Sequence, residues 1–170
     1  PWGGAAGGPP EAEGPTDGSA DAAAVGVGSI AVGAGAANQG FSFTDSWGNT
    51  TQSTSDGAVA VGASAVTQGE GSMALGANAR NEGWVYEDAD GNAYVATPDR
   101  AIAVGSDALT QGKGAIALGA GASTIATVTT VHYDDGEGTV YDYDTVSIPD
   151  NAIAVGTNSM AIGANSIALG

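Results

Sequence analysis

The residues that could do chemistry are few, and they sit close together. His132 is the only histidine, and there is no cysteine, so thiol nucleophiles, disulfides and thiolate metal sites are absent. Nucleophilic catalysis needs a nucleophile held beside a base. His132 has no such partner at a telling spacing and reads as a surface strand position. Asp134, Asp135, Glu137, Asp142 and Asp144 surround it in sequence and could form an acid pair or hold a metal. The string Asp88 to Asn92 (DADGN) has oxygen-bearing residues two apart and a glycine, like the start of a calcium loop. It lacks the glutamate that would close such a loop at the twelfth position. Asp, Asn and Gly are also the residues that tight turns require, and a turn accounts for both clusters. The glycines are followed by no phosphate-binding lysine, and the glycine-aspartate repeats of calcium-binding rolls are missing. The expectation is no catalytic residue, no metal and no cofactor, hence not an enzyme.

The aromatic residues offer binding chemistry instead. Nine of ten fall in three blocks, residues 41–55, 84–98 and 127–149. Trp47, Trp84, Tyr86, Tyr94, Tyr133 and Tyr143 are the candidate ligand-binding residues, because aromatic side chains anchor protein interfaces; packing of the blocks themselves is the competing role. In the third block, Val128, Val131 and Tyr133 lead into DDGEG (Asp134 to Gly138), then Val140, Tyr141, Tyr143 and Val146 follow. Two β-prone runs around an Asp/Gly cluster predict a hairpin. The second block repeats this around DADGN, and the first places Phe41, Phe43 and Trp47 before Gly48 and Asn49. The net charge is −16, with Arg80, Arg100 and Lys113 the only lysines or arginines. That excludes nucleic acid, which needs clustered cations, and suits solubility on an exposed surface. No run of 18 apolar residues is present, and no signal peptide is visible.

What positions these blocks is a repeat. Glycine recurs every seventh residue: Gly26, Gly33, Gly40; Gly62, Gly69, Gly76, Gly83; Gly105, Gly112, Gly119; Gly156, Gly163, Gly170. The three aromatic blocks interrupt this phase, and each time it resumes. A helical heptad would need large apolar residues where this chain has Gly and Ala. One kind of unit (SIAVG, AVAVG, SMALG, AIAVG, AIALG) sets bulky apolar residues two apart around an alanine, which is strand periodicity. The other kind (ASAVTQG, ANARNEG, SDALTQG) is softer and offers Gln68, Arg80, Glu82 and Gln111 to solvent. Together they make a 14-residue coil of two strands. About seven such coils, at a strand spacing of ~4.8 Å, build a β-solenoid about 30–35 Å tall. The apolar strand has no polar face, so one side fills the roll and the other requires a second chain. Either the Val/Ile ladder or the alanine ladder could take the interior.

The strings SIAVGAGA, GSMALGANA, GAIALGAGA and NSMAIGANSIALG resemble the head repeats of YadA-like trimeric autotransporter adhesins. The resemblance covers about 98 of the 170 residues; Ala20 to Gly26 keeps only the glycine, and Ala120 to Ala126 ends on alanine. It implies an all-β, left-handed parallel β-roll of 14-residue coils, homotrimeric, with inserted β-hairpins. It implies a bacterial surface adhesin, secreted by the type V route and anchored in the outer membrane through a C-terminal region outside this sequence. Its partners would be itself and a host extracellular-matrix protein or cell-surface receptor, a virulence function. Residues 1–19 are expected to be mobile linker, 20–170 the head. The start at Pro1 and the stop on a repeat glycine suggest a piece of a longer chain. Three alternatives stand beside adhesion. A structural spacer of the fibre fits the same sequence. An ice-binding solenoid would need a threonine ladder, and a polysaccharide-processing β-helix would need paired carboxylates in the coils.

Overall fold

The computed structural model describes residues 22–134, 136 and 139–170; residues 1–19, and part of the turn at 134–138, lie outside them. Every element among the described residues is a β-strand. Two parallel seven-stranded sheets run the length of the molecule. The apolar sheet stacks Ile30–Val32, Val59–Val61, Met73–Leu75, Ile102–Val104, Ile116–Leu118, Ile153–Val155 and Ile167–Leu169. The second sheet stacks Ala23–Ala24, Ala37–Asn38, Val66–Thr67, Arg80–Asn81, Leu109–Thr110, Ser123–Ile125 and Met160–Ile162. The chain passes from one sheet to the other in each coil, which makes a β-roll.

Alanines occupy the interior. Ala60, Ala74, Ala103, Ala117 and Ala154 stack in register and are fully buried. The Val/Ile/Leu residues on either side point outward: Ile30 is 52% exposed, Val61 37% and Leu169 77%. The alternative left open by sequence is thereby decided. Turns of four residues join each apolar strand to the second sheet and hold the two so close that only small side chains fit between them, alanine along the apolar strand. A second column, Ala36, Ala65, Ala79, Ala108 and Ala122, completes the apolar filling.

The softer strand is not simply a wet one, a correction to its expected solvent-facing role. Its inward column, Asn38, Thr67, Asn81, Thr110 and Thr124, is completely buried. Buried polar groups need partners, and the column supplies them in pairs. Thr67 Oγ1 donates to Asn38 Oδ1 at 2.5 Å, and Asn38 Nδ2 donates to the Ile30 carbonyl at 2.7 Å. Thr110 donates to Asn81 in the same way. In the third pair Ala161 stands where a threonine would be, and the Thr124 hydroxyl has no partner. Outward, Arg80 pairs with Glu82 at 2.8 Å on the surface.

The seven-residue glycine phase has two physical causes. At the end of each apolar strand the backbone needs positive φ, between 121° and 137° for Gly33, Gly62, Gly76, Gly105, Gly119 and Gly156. A Cβ there would also meet the next coil's carbonyl, at 2.6 Å for Gly33 against Gly62. Two residues beyond, the chain turns through the left-handed region at Ser64, Asn78, Asp107 and Asn158, where Asn and Asp are the tolerated side chains.

Candidate functional site: the hairpin stack

Three antiparallel hairpins leave the roll where the second-sheet strand ends, and each returns at the next apolar strand. They pair Phe41–Thr44 with Thr50–Ser53, Trp84–Glu87 with Ala93–Ala96, and Thr127–Asp134 with Val140–Ser147. They occupy alternate coils: Ala31 pairs with Ala60 across an insertion, whereas Ala60 pairs directly with Ala74. Their roots are fixed by residues of the neighbouring coil. Gln68 Oε1 accepts from Gly83 N at 2.8 Å, and Gln111 Oε1 accepts from Ala126 N at 3.0 Å. At each re-entry an aspartate caps a backbone amide one coil away: Asp56 takes Val27 N at 2.7 Å, Asp99 takes Glu70 N at 3.1 Å, and Asp150 takes Lys113 N at 2.8 Å. Sequence reasoning missed these three. Their signal was the recurrence of Asp one residue before each left-handed Gly57, Arg100 or Asn151.

The first two tips share one turn chemistry. Asp45 Oδ1 accepts from the amides of Trp47 at 3.0 Å and Asn49 at 2.7 Å, and Asn49 Nδ2 donates to Oδ2 at 2.9 Å. Asp88 does the same with Asp90 at 3.0 Å and Asn92 at 2.8 Å. The Asn49 and Asn92 side chains, with the turn amides, hold both carboxyls below the usual carboxylate range. The DADGN string is therefore a turn whose lead carboxylate is occupied by its own backbone. Among the described residues no group of three or more His, Asp or Glu side chains is placed to hold a metal ion.

The hairpins stack on one another. The Phe41 ring lies on Gly83, Ser46 donates to Glu87, and Trp47 Nε1 donates to the Gly91 carbonyl at 2.9 Å. On the second hairpin, strand alternation puts Val85 and Glu87 on the face toward the first and Trp84 and Tyr86 on the other. Tyr94 stands opposite Tyr86, with ring centroids 6.1 Å apart, and Trp84 stacks on Tyr86 at 6.4 Å. That aromatic face meets the third hairpin, where the Tyr86 hydroxyl donates to Asp144 and Thr130 Oγ1 donates to the same carboxylate at 2.7 Å. The Tyr86 bond, then that of Thr130, holds the Asp144 carboxyl below its ordinary range. The same carboxylate pushes the Tyr86 phenol up to about 12.

The six candidate residues thus occupy three settings. Trp84 and Tyr86 are half-buried between the second and third hairpins, with Tyr94 at their margin, 36% exposed. Trp47 is 71% exposed at the first tip, beside a cleft of about 330 Å³ lined by Ser46 and residues 87–91. Tyr133 and Tyr143 lie on the far face of the third hairpin together with Tyr141, which the sequence reading did not select. His132 pairs with Asp142, directly across the ladder on an exposed strand face. The coil threonines 67, 110 and 124 all point inward, so no threonine ladder faces solvent from the second sheet.

The sequence model of the YadA head domain repeat matches residues 53–79, 96–122 and 150–170. Those segments hold nine of the roll's fourteen strands, and the unmatched stretches between them contain most of the second and third hairpins. These segments are YadA head domain repeats, and the head they build is YadA-like. The YadA-like head is a structural adhesin domain of trimeric autotransporters, and the family implies display at the cell surface. No curated protein matches the chain significantly.

Proposed function

We propose that this YadA-like head acts as a homotrimer that holds its hairpins out toward host cells or extracellular matrix. The fibre bearing it would be anchored in the outer membrane by a C-terminal region, with residues 20–170 as the head and 1–19 as linker. The observation that carries the trimer is the outward ladder of the apolar sheet. Ile30, Val32, Val61, Leu118, Ile167 and Leu169 are each 37–77% exposed on one continuous face. A contiguous apolar strip of that kind marks an interaction surface, and an in-register ladder is matched by other copies of itself. Trp47, Trp84, Tyr86, Tyr94, Tyr133 and Tyr143 are the proposed contact residues, Trp47, Tyr133 and Tyr143 being the most accessible. Three copies on one rigid head would raise a weak contact by roughly 10²–10⁴ where the sites engage together.

The test compares the intact head, hairpin deletions and a monomer enforced by a charge in the ladder, on matrix proteins and cultured cells. Deletion of 41–55 joins Gln39-Gly40 to Asp56-Gly57, the same pattern as the uninterrupted Gln68-Gly69-Glu70-Gly71, so the roll should survive it. Binding by the intact head that falls in the deletions and the monomer is the expected result. Equal binding by all would remove hairpins and multivalency from the mechanism, and binding by none would favour the spacer.

A further inference from the structure

We propose that the far face of the third hairpin docks an extended, arginine-bearing segment of a protein partner; this rests on the binding role just argued and names the partner's chemistry. The stack shows that this face is built to be covered. The aromatic side of the first hairpin rests on the second, and that of the second rests on the third. The equivalent side of the third has no described residue over it: Tyr133 is 57% exposed, Tyr141 53% and Tyr143 55%. Tyr133 and Tyr141 face each other across the ladder with ring centroids 6.4 Å apart, and Tyr143 follows one step down, opposite Val131.

Charge complementarity decides the occupant. Residues 127–149 contain five acids and no lysine or arginine, within a chain of net charge −16. Asp142 and Asp144 alternate with Tyr141 and Tyr143 along one strand and so point to the opposite face, toward His132 and Tyr86; they reach the rings only through the negative field of the hairpin. An anionic partner is repelled, and a neutral one gains nothing from the acids. A cation is drawn in by that field, and a guanidinium gains more than an ammonium because its plane also stacks on a phenol ring. Among the described residues the strand Val140–Ser147 pairs with 127–134 alone, which leaves its other edge for an extended chain. A segment laid along that edge would send alternate side chains to the tyrosine face.

The experiment titrates the intact head, at 0.15 M salt, with a labelled octapeptide of alternating Arg and Thr and with its Lys/Thr counterpart. NMR shift mapping and anisotropy are the readouts. The Arg peptide should bind about fivefold tighter than the Lys peptide, with shifts concentrated in residues 129–145. A Tyr133→Ser, Tyr141→Ser, Tyr143→Ser variant keeps the net charge and should bind about tenfold more weakly. The corresponding triple Phe variant should bind normally, which separates loss of the rings from loss of the hairpin fold. Equal affinity for both peptides, or indifference to the Ser variant, would reduce the interaction to diffuse electrostatics and overturn the proposal. So would absence of binding, or saturation of the same face by the neutral oligosaccharide maltoheptaose. Cell or matrix attachment that persists undiminished in the Ser variant would overturn this inference and leave the adhesive role standing.

Discussion

Thr110→Val tests whether the polar column inside the roll contributes to stability or is merely tolerated. The substitution keeps the shape of the side chain and removes the hydroxyl that donates to Asn81. Asn81 is fully buried and its Nδ2 already lacks a partner, so the amide would lose its remaining side-chain bond. A net hydrogen bond is worth about 1 kcal/mol, and a buried acceptor left unpaired costs about 1–3 kcal/mol. The new methyl group returns about 0.8 kcal/mol. The expected loss is about 2 kcal/mol per chain. Removing both partners, in Asn81→Val with Thr110→Val, should be close to neutral, so a double-mutant cycle should show coupling of about 1–2 kcal/mol. The reciprocal change is Ala161→Thr, which gives the orphan Thr124 hydroxyl a partner and should gain about 1 kcal/mol. Guanidinium unfolding followed by circular dichroism, at one fixed protein concentration because the proposed trimer would couple assembly to folding, supplies the free energies. A Thr110→Val midpoint indistinguishable from the parent, or singles that add without coupling, would refute the reasoning.

Val61→Asp or Val104→Asp places a charge in the outward ladder and should cost several kcal/mol where a partner chain buries it; sedimentation should show monomer in place of trimer. Gly105→Ala meets both a φ of 132° and the Gly119 carbonyl, and should lower the melting temperature of the whole head. Gly48→Ala has a φ of 87° but open space around it, so its cost of about 1–2 kcal/mol should stay in the first hairpin and leave the roll's melting unchanged. Asp45 and Asp88 have folded pKa values below their ordinary 3.8. Their turns therefore keep full support above that value and lose it as pH falls through the lowered folded pKa. Amide shifts of Trp47, Asn49, Asp90 and Asn92 should move together in that acid window, while the roll's own signals stay.

The coil and its phase were legible because Gly33, Gly62, Gly76, Gly105, Gly119 and Gly156 are required twice over, by φ and by the carbonyl overhead, while Gly26, Gly69 and Gly112 between them are required by the carbonyl alone. The hairpins were legible because their turns use the residues that turns demand. The filling of the roll was not, since a Val-Ala-Val strand is apolar on both faces and periodicity does not say which face is inside. The inward column Asn38, Thr67, Asn81 and Thr110 was not picked out of the softer strand for a different reason. A short polar side chain looks solvent-facing until its partner on the next coil is known, and that partner lies 29 positions away in sequence. Their one signal was recurrence, an Asn or Thr two residues before Gly40, Gly69, Gly83 and Gly112 with Gln or Glu between. For the candidate site, aromatic content located the three hairpins. It could not separate Tyr86, engaged with Asp144, from Tyr133 and Tyr141, because the stacking of hairpins depends on contacts between blocks.

Insertion on alternate coils sets a spacing rule. Strands within a sheet lie ~4.8 Å apart, so hairpins on every second coil rise in steps of about 9.6 Å, close to the ~10 Å at which two side-chain-bearing sheets pack face to face. A hairpin on every coil would leave no height for side chains between layers. One on every third coil, at about 14 Å, would leave a layer of water. The roll therefore works as a ruler whose every second mark accepts a blade, and a new blade can be added only in steps of two coils. Along the perpendicular direction nothing is metered. The third hairpin has strands of eight residues against four in the others, and it still keeps its place in the stack. Such a head can vary freely in how far it reaches, but only in whole steps in how many surfaces it presents.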